Sequence, residues 1–413
     1  MNGIRRHRRA VAATFCVLLV TGSASIATAA TPVREAEFLE VFGDDHPLVV
    51  QLADEVARAE AARVRAGTPE ALSLDFEIEM PDDAADQATV MFGWLPPLDG
   101  RRSAAIDATQ AALEAARARW EWSRARVRQR LRAAFAEWAL AHARETLLRG
   151  HVESLASLEE RLRARADRGE ESPLAAGRLG LALAAARADL ATARLEHIHA
   201  LGRVLALRED LPDDAVPVLP DLPETAVAST DIVRADVRAA RLDVEAADAR
   251  ARRAGRFLRF PSLGVGWTRL EGGGETFSGP VLGLSWDLPL FDRDQGDRVE
   301  ATRTRAVTSA RRQRVEAEAR AALRTAREAY RSLRTSLDTV ESAVSGADDV
   351  AAAAAAAFLA GESSTTDLLD ALRSVLEARR AALDLRGRAL EAHRELELHA
   401  VPVSVEFDEG DRR

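Results

Sequence analysis

Two periodicities divide the chain. In "LSLDFEIEM" the residues Leu72, Leu74, Phe76, Ile78 and Met80 alternate with Ser73, Asp75, Glu77 and Glu79. Strict period two, apolar on one face and acidic on the other, predicts a strand held between lipid and water, and about nine to eleven tilted residues span the hydrocarbon. Three further stretches, 89–95, 262–270 and 277–288, follow the same logic. In "SLGVGWTRL" Leu263, Val265 and Trp267 share a side; in "VLGLSWDLP" Leu282, Leu284, Trp286 and Leu288 fall together, with "EGGGET" as the turn between the two. Trp94, Trp267 and Trp286 are candidate interfacial anchors. A small soluble sheet packed on helices is the competing reading, and Arg269 within an otherwise apolar row favours it.

The rest of the chain has helical spacing. Leu323, Ala326, Tyr330, Leu333, Leu337, Val340 and Val344 recur at intervals of three and four, the seam of a coiled coil. Leu131, Phe135, Trp138, Leu148, Val152, Leu155 and Leu162 form a looser version. Helices over Arg101–Asp167 and Arg298–Ala360 would be rods of roughly 100 Å at about 1.5 Å per residue. Rods of that length need neighbours along them, from their return helices and from other chains.

The chain also repeats itself. Pro69 and Pro261, Trp94 and Trp286, Pro97 and Pro289, Gly169 and Gly361, and Ser172 and Ser364 each lie 192 residues apart. We therefore expect two tandem structural units, residues 30–210 and 227–400, joined by the proline-rich linker 211–226 and followed by a tail, 401–413. Each unit runs helix, two strands, long helix, glycine turn at 169 or 361, and return helix, with Pro97 and Pro289 at the strand-to-helix junctions. Four strands per chain leave no room inside a closed sheet, and lipid does not tolerate an open edge. Strands in a membrane would thus come from several copies of the chain.

Composition narrows the class further. Of 413 residues 47% are hydrophobic and only 5% aromatic, as expected of helices packed through small side chains. Every basic side chain is Arg or His, and the net charge of -9 argues against a nucleic-acid partner. Arg5, Arg6, Arg8 and Arg9, the apolar run Ala10–Val20 and Ala27-Thr28-Ala29 mark residues 1–29 as a secretory signal peptide. The one cysteine, Cys16, lies inside it, which excludes disulfides and a cysteine metal site from the mature chain. Beyond it no run of about 18 apolar residues suggests a membrane helix. Export together with β-type membrane segments implies a Gram-negative outer membrane.

"FPSLGVGW" (260–267), "GPVLGLSWDLPLFDRDQG" (279–296) and "AGESSTTDLLDAL" (360–372), set in this order of elements, resemble the TolC-type outer-membrane factors, the outer membrane efflux protein family. The resemblance covers essentially the whole mature chain. It implies a mainly α fold of long antiparallel coiled-coil helical hairpins with four short β-strands per chain. Three chains would form a homotrimer, an α-barrel continued by a 12-stranded transmembrane β-barrel in the outer membrane, with the helices extending into the periplasm. The implied function is that of a passive conduit in a tripartite efflux or type I secretion system. Its implied partners are outer-membrane lipid, a periplasmic adaptor (membrane fusion) protein and an inner-membrane RND or ABC transporter.

The resemblance also assigns sites. Gly169, Ser172, Gly361 and Ser364 would be hairpin tips in contact with the adaptor, although a turn glycine is equally an ordinary helix C-cap. Asp367-Leu368-Leu369-Asp370 matches an Asp-x-x-Asp pair that lines the periplasmic entrance in similar family members, so Asp367 and Asp370 are the candidate gate. Spacing three puts both carboxylates on one helical face, and three copies would gather six, attracting cations. At the same offset the first unit has Ala175 and Arg178. Asp367, following Ser364 and Thr365 at a helix start, is also good capping chemistry.

No enzyme, cofactor or metal signature is found. His197-x-His199 places two rings on different sides of a helix and reads as structural surface histidine, and "EGGGET" lacks the Lys-Ser/Thr of a phosphate loop. A periplasmic adaptor or a coiled-coil scaffold without a pore is the alternative. An adaptor should carry one hairpin rather than two, and a scaffold leaves the alternating pairs before each long helix unexplained.

Overall fold

The computed structural model describes residues 31–400, except 41, 44–49, 51–52, 70–71, 81–85, 170–171, 209, 213, 224–233, 257–259, 273–274, 287–290 and 292. The signal peptide, the tail, Pro289 and part of the linker fall outside the described residues. The chain is mainly helical. Strand β1 (Thr31–Val33), α1 (Glu35–Glu40) and α2 (Asp54–Gly67) precede the hairpin β2 (Ser73–Glu79) and β3 (Asp86–Trp94). Helices α3 (Arg101–Asp167) and α4 (Pro173–Leu205) follow, then β4 (Ala215–Pro217). The order recurs with α5 (Ala235–Gly255), β5 (Ser262–Gly272), β6 (Glu275–Ser285), α6 (Gln295–Val344), α7 (Ala347–Leu359) and α8 (Thr365–Ala400).

The helical seams are the core. Leu131, Phe135 and Trp138 on α3 meet Ala200 and Val204 on α4, and Phe38 stacks on Phe135 at 5.4 Å between ring centres. Farther along, Leu155, Leu158 and Leu162 on α3, Leu179 and Leu183 on α4, Phe358 on α7 and Leu368 and Leu372 on α8 form one cluster. Both hairpins are thus joined beneath their tips. In the second unit Ala326 and Tyr330 pack on Ala392 and Leu396, while Leu323 and Leu333 are only partly buried. The parallel pair β1–β4 ties the start of the described chain to the segment between the units.

The second long rod is not continuous. The helical ladder is interrupted at Ser345 and Gly346, which separate α6 from α7. Both residues are poor helix formers, and Ser345 Oγ turns back to the Ser342 carbonyl at 2.7 Å, competing with the backbone. The expectation of no membrane-length apolar helix also needs amendment. An alanine-rich window in 295–359 reaches a mean hydropathy of 1.2. Its Phe358 is buried in the cluster beneath the tips and Ala351, Ala354 and Ala355 pack on that cluster, but only 11% of the window is buried within the chain.

The four long strands form one antiparallel sheet in the order β2-β3-β5-β6. They run longer than the sequence pattern marks at 86–88 and at 271–272, and β6 begins at Glu275 and ends at Ser285. Register aligns the faces. Leu74 pairs with Phe92, Phe76 with Val90, Phe92 with Val265 and Leu263 with Leu284, which gives one apolar face across all four strands. It is bare: Phe76 is 69% exposed and Leu282 85%. The other face carries Asp75, Glu77 and Glu79, then Gln87 and Thr89, with Thr89 bonded to Thr268 at 3.0 Å, and then Gly264, Gly266 and Gly283. Gly266 is required by proximity, since a Cβ there would lie 2.2 Å from the Val90 carbonyl oxygen. Arg269 does sit on the apolar face, but near the hairpin turn, where it pairs with Glu271.

Candidate functional site

Both tips are built by left-handed glycines. Gly169 has φ +71° and Gly361 φ +77°, and neither has an atom within 4 Å of where its Cβ would be, so conformation rather than crowding demands glycine there. At the second tip the Gly361 N–H donates to the Phe358 carbonyl (3.0 Å) and the Glu362 N–H to the Ala357 carbonyl (2.9 Å), the double closure of a Schellman turn. The return helices then start on serines. Ser172 Oγ accepts from the Leu174 N–H at 3.2 Å, ahead of Pro173. Ser364 Oγ accepts from the Asp367 N–H at 3.2 Å while Asp367 Oδ2 accepts from the Ser364 N–H at 3.0 Å and its hydroxyl at 2.7 Å. That reciprocal pair is a capping box with aspartate in the usual glutamate position. All four tip residues are exposed.

The two gate candidates differ within this frame. Both carboxylates are exposed and share one face of α8, opposite the buried Leu368 and Leu372. Asp367 is engaged, and its hydrogen bonds from Ser364 hold it below the usual carboxylate range. The Asp370 carboxylate has no hydrogen bond or ion pair among the described residues. Arg178, at the matching position of the first unit, reaches across to Thr366 Oγ1 at 3.0 Å. The two tips are thereby joined by a contact in which the first unit contributes a cation beside the acidic pair. The sequence pattern showed Arg178 only as a non-match.

The tryptophans separate into two levels. Trp94 closes β3 opposite Leu263, and Trp286 follows β6, both at the helix-proximal rim. Trp267 lies four residues farther along β5 on the same face, just before Arg269. All three are about half exposed, at 51%, 49% and 55%. Pro97 lies between β3 and α3. Tight junctions follow it: Gly100 (φ +69°) opens α3, and Asp294, the only non-glycine with positive φ among the described residues, opens α6. Arg101 Nη1 joins them, donating to Asp294 at 2.7 Å.

One buried polar network was not legible in the sequence. His197 is half-buried, not a surface residue. Its Nε2 accepts from Trp138 Nε1 at 3.2 Å, so its Nδ1 carries the proton that it shares with Glu145 at 2.6 Å. Arg149 also donates to Glu145. Burial raises the Glu145 carboxyl, but the bonds from His197 and Arg149 outweigh it and hold the group below its ordinary value. His142 stacks edge-on against His197 at 5.1 Å, and burial followed by that neighbour lowers its pKa.

In sequence, residues 231–399 match the family model for outer membrane efflux proteins. The matched segment lies in the second structural unit. None of the curated protein sequences compared with the chain matches it. The whole fold is similar to solved channels of this type. VceC from Vibrio cholerae is 19% identical, with a TM-score of 0.67 over 89% of this chain and 95% of that one. CusC is 15% identical, with a TM-score of 0.69 over 89% and 91%. The open state of MtrE from Neisseria gonorrhoeae is 17% identical, with a TM-score of 0.65 over 89% and 88%. The chain therefore has the fold that these outer-membrane channels share.

Proposed function

We propose that this protein is the passive outer-membrane conduit of a tripartite efflux or type I secretion system, formed by three copies of the chain. The observation that carries the proposal is the four-stranded sheet with one bare apolar face, one acidic and glycine-lined face, and unpaired edges at β2 and β6. In lipid those edges must be satisfied. Pairing β6 of one copy with β2 of the next closes a twelve-stranded barrel with its apolar face outward. The helical hairpins then continue the bore into the periplasm. A periplasmic adaptor docks on the exposed tips at Gly169, Ser172, Gly361 and Ser364, and an RND or ABC pump in the inner membrane supplies the energy. Trp94, Trp267 and Trp286 anchor the barrel at the interfaces, with Pro97 and Pro289 at the passage from strand to helix.

Asp367 and Asp370 form the gate. Three copies bring six carboxylates to the entrance, where they attract cations and raise one another's proton affinity. Asp370, whose carboxylate has no partner among the described residues, supplies most of the cation affinity, and Asp367 both lines the entrance and holds the start of α8. The test is single-channel recording in planar bilayers. Asp367→Ala/Asp370→Ala should conduct more than the parent and lose block by trivalent cations, and Asp370→Ala alone should lose most of that block. Wild-type conductance and block in the double variant would remove the gate; a parent chain that never forms channels would remove the conduit.

A further inference from the structure

At the helix-proximal rim of the sheet lies a cavity of about 840 Å³ between the C-terminal ends of α2 and α5 and the start of α3. Five guanidiniums line it, from Arg65, Arg101, Arg102, Arg250 and Arg253, against one carboxylate, Asp99. Arg101 is offset by Asp294, and Asp99 accepts from the Arg101 backbone N–H at 2.9 Å. Arg102 donates to the Gly67 carbonyl, but its Nε is buried with no hydrogen-bond partner. Arg65, Arg250 and Arg253 are exposed and make no ion pair among the described residues. In a chain of net charge -9, with carboxylates available for most arginines, this reverses the local charge. Guanidiniums that close repel one another unless an anion lies among them.

Trp94 says which anion. It lines this cavity, and it also lines a shallow apolar hollow of about 520 Å³ on the bare face of the sheet, with Leu72, Phe92, Val265 and Leu282. One continuous surface therefore runs from apolar strand face, across an indole, to a cluster of arginines. It opens on the face that the proposed barrel turns toward lipid. Its order of chemistry, acyl chain, interfacial ring, then phosphate, is that of a phospholipid lying along the wall. Arginine forks match phosphate oxygens two at a time.

We infer that Arg65, Arg250 and Arg253, with Arg102 beneath them, bind the phosphate headgroup of a phospholipid whose acyl chain lies in the hollow beside Trp94. The inference rests on the membrane placement of the sheet. The test uses purified full-length protein in detergent, titrated with dioctanoyl-phosphatidylglycerol and read by native mass spectrometry. The parent should bind saturably. Arg65→Gln/Arg250→Gln/Arg253→Gln, which removes side chains with no partner among the described residues, should bind at least about tenfold more weakly, the worth of one charge-assisted hydrogen bond. Dioctanoylglycerol, lacking phosphate, should bind the parent no better than the lipid binds the triple variant. Equal binding by parent and triple variant overturns the site. Inorganic phosphate that displaces the lipid at equal concentration makes it a site for the free anion and overturns the lipid assignment. A parent that conducts in bilayers yet binds no lipid removes this site alone, whereas one that forms no channels removes the membrane placement beneath it.

Discussion

Helix α4 carries a second unpartnered surface, and its energetics can be worked out. Leu174, Gly177, Leu181, Ala184, Ala188, Ala191, Leu195, Ile198, Gly202 and Leu205 recur at alternating steps of three and four, and all ten are exposed in the single chain. A heptad stripe five repeats long is a seam with no partner among the described residues. In the proposed trimer it packs against the neighbouring copy. Leu181 is 74% exposed; fully burying a leucine is worth about 1.5–3 kcal/mol, so covering it contributes about 1–2 kcal/mol per interface. A closed trimer has three such interfaces, so Leu181→Ala should cost about 3–6 kcal/mol per trimer. That is roughly two to four orders of magnitude in the dissociation constant. Mass photometry over a dilution series in detergent measures it, with far-UV circular dichroism to show that each chain keeps its helices. Leu181→Glu, which puts a charge into the same seam, should leave no trimer at any accessible concentration. Trimer populations for both variants that superimpose on the parent would refute the seam.

Two further outcomes follow from buried contacts. Glu145→Gln, which removes the charge from the bonds to His197 and Arg149, should cost about 1.5 kcal/mol near neutral pH. Because the folded carboxyl is held low, its contribution is present above the unfolded value of about 4.3 and disappears as pH falls through the folded value. Thermal scans of the parent between neutral and acid pH should show that loss, and the variant should lack it. Gly266→Val should prevent β3 and β5 from closing, since even a Cβ meets the Val90 carbonyl. Trimers resistant to heat and detergent should then fail to form, and normal yields would contradict the register.

Much of the architecture was legible because its signals are local. Period two in 72–80 identified a strand with an acidic and an apolar face, and the spacing of Ala326, Tyr330 and Leu337 identified residues that prove buried. The ambivalence of Asp367 was also visible, since Ser364 three residues before it is a capping pattern, and the capping box is present. What could not be read depends on distant residues meeting. His197 looked like surface because its partners, Glu145 and Trp138, lie more than fifty positions away. The break at Ser345 and Gly346 was hidden by a heptad that runs up to Val344 without fault. The arginine cavity draws on α2, α3 and α5, whose arginines at 65, 101–102 and 250–253 lie too far apart along the chain for their meeting to be read from it.

The order of the sheet also governs biogenesis. β3 pairs with β5, so Trp94 waits for Leu263, and the short parallel pair joins Thr31 to Ala215. As the chain is made in order, the first hairpin arrives with its apolar face bare and the β3 edge unmatched until the first helical hairpin and the start of the second unit have followed. Such long-range closure is slow and invites wrong pairing. The first hairpin is therefore the segment most open to mispairing while the intervening helices are made.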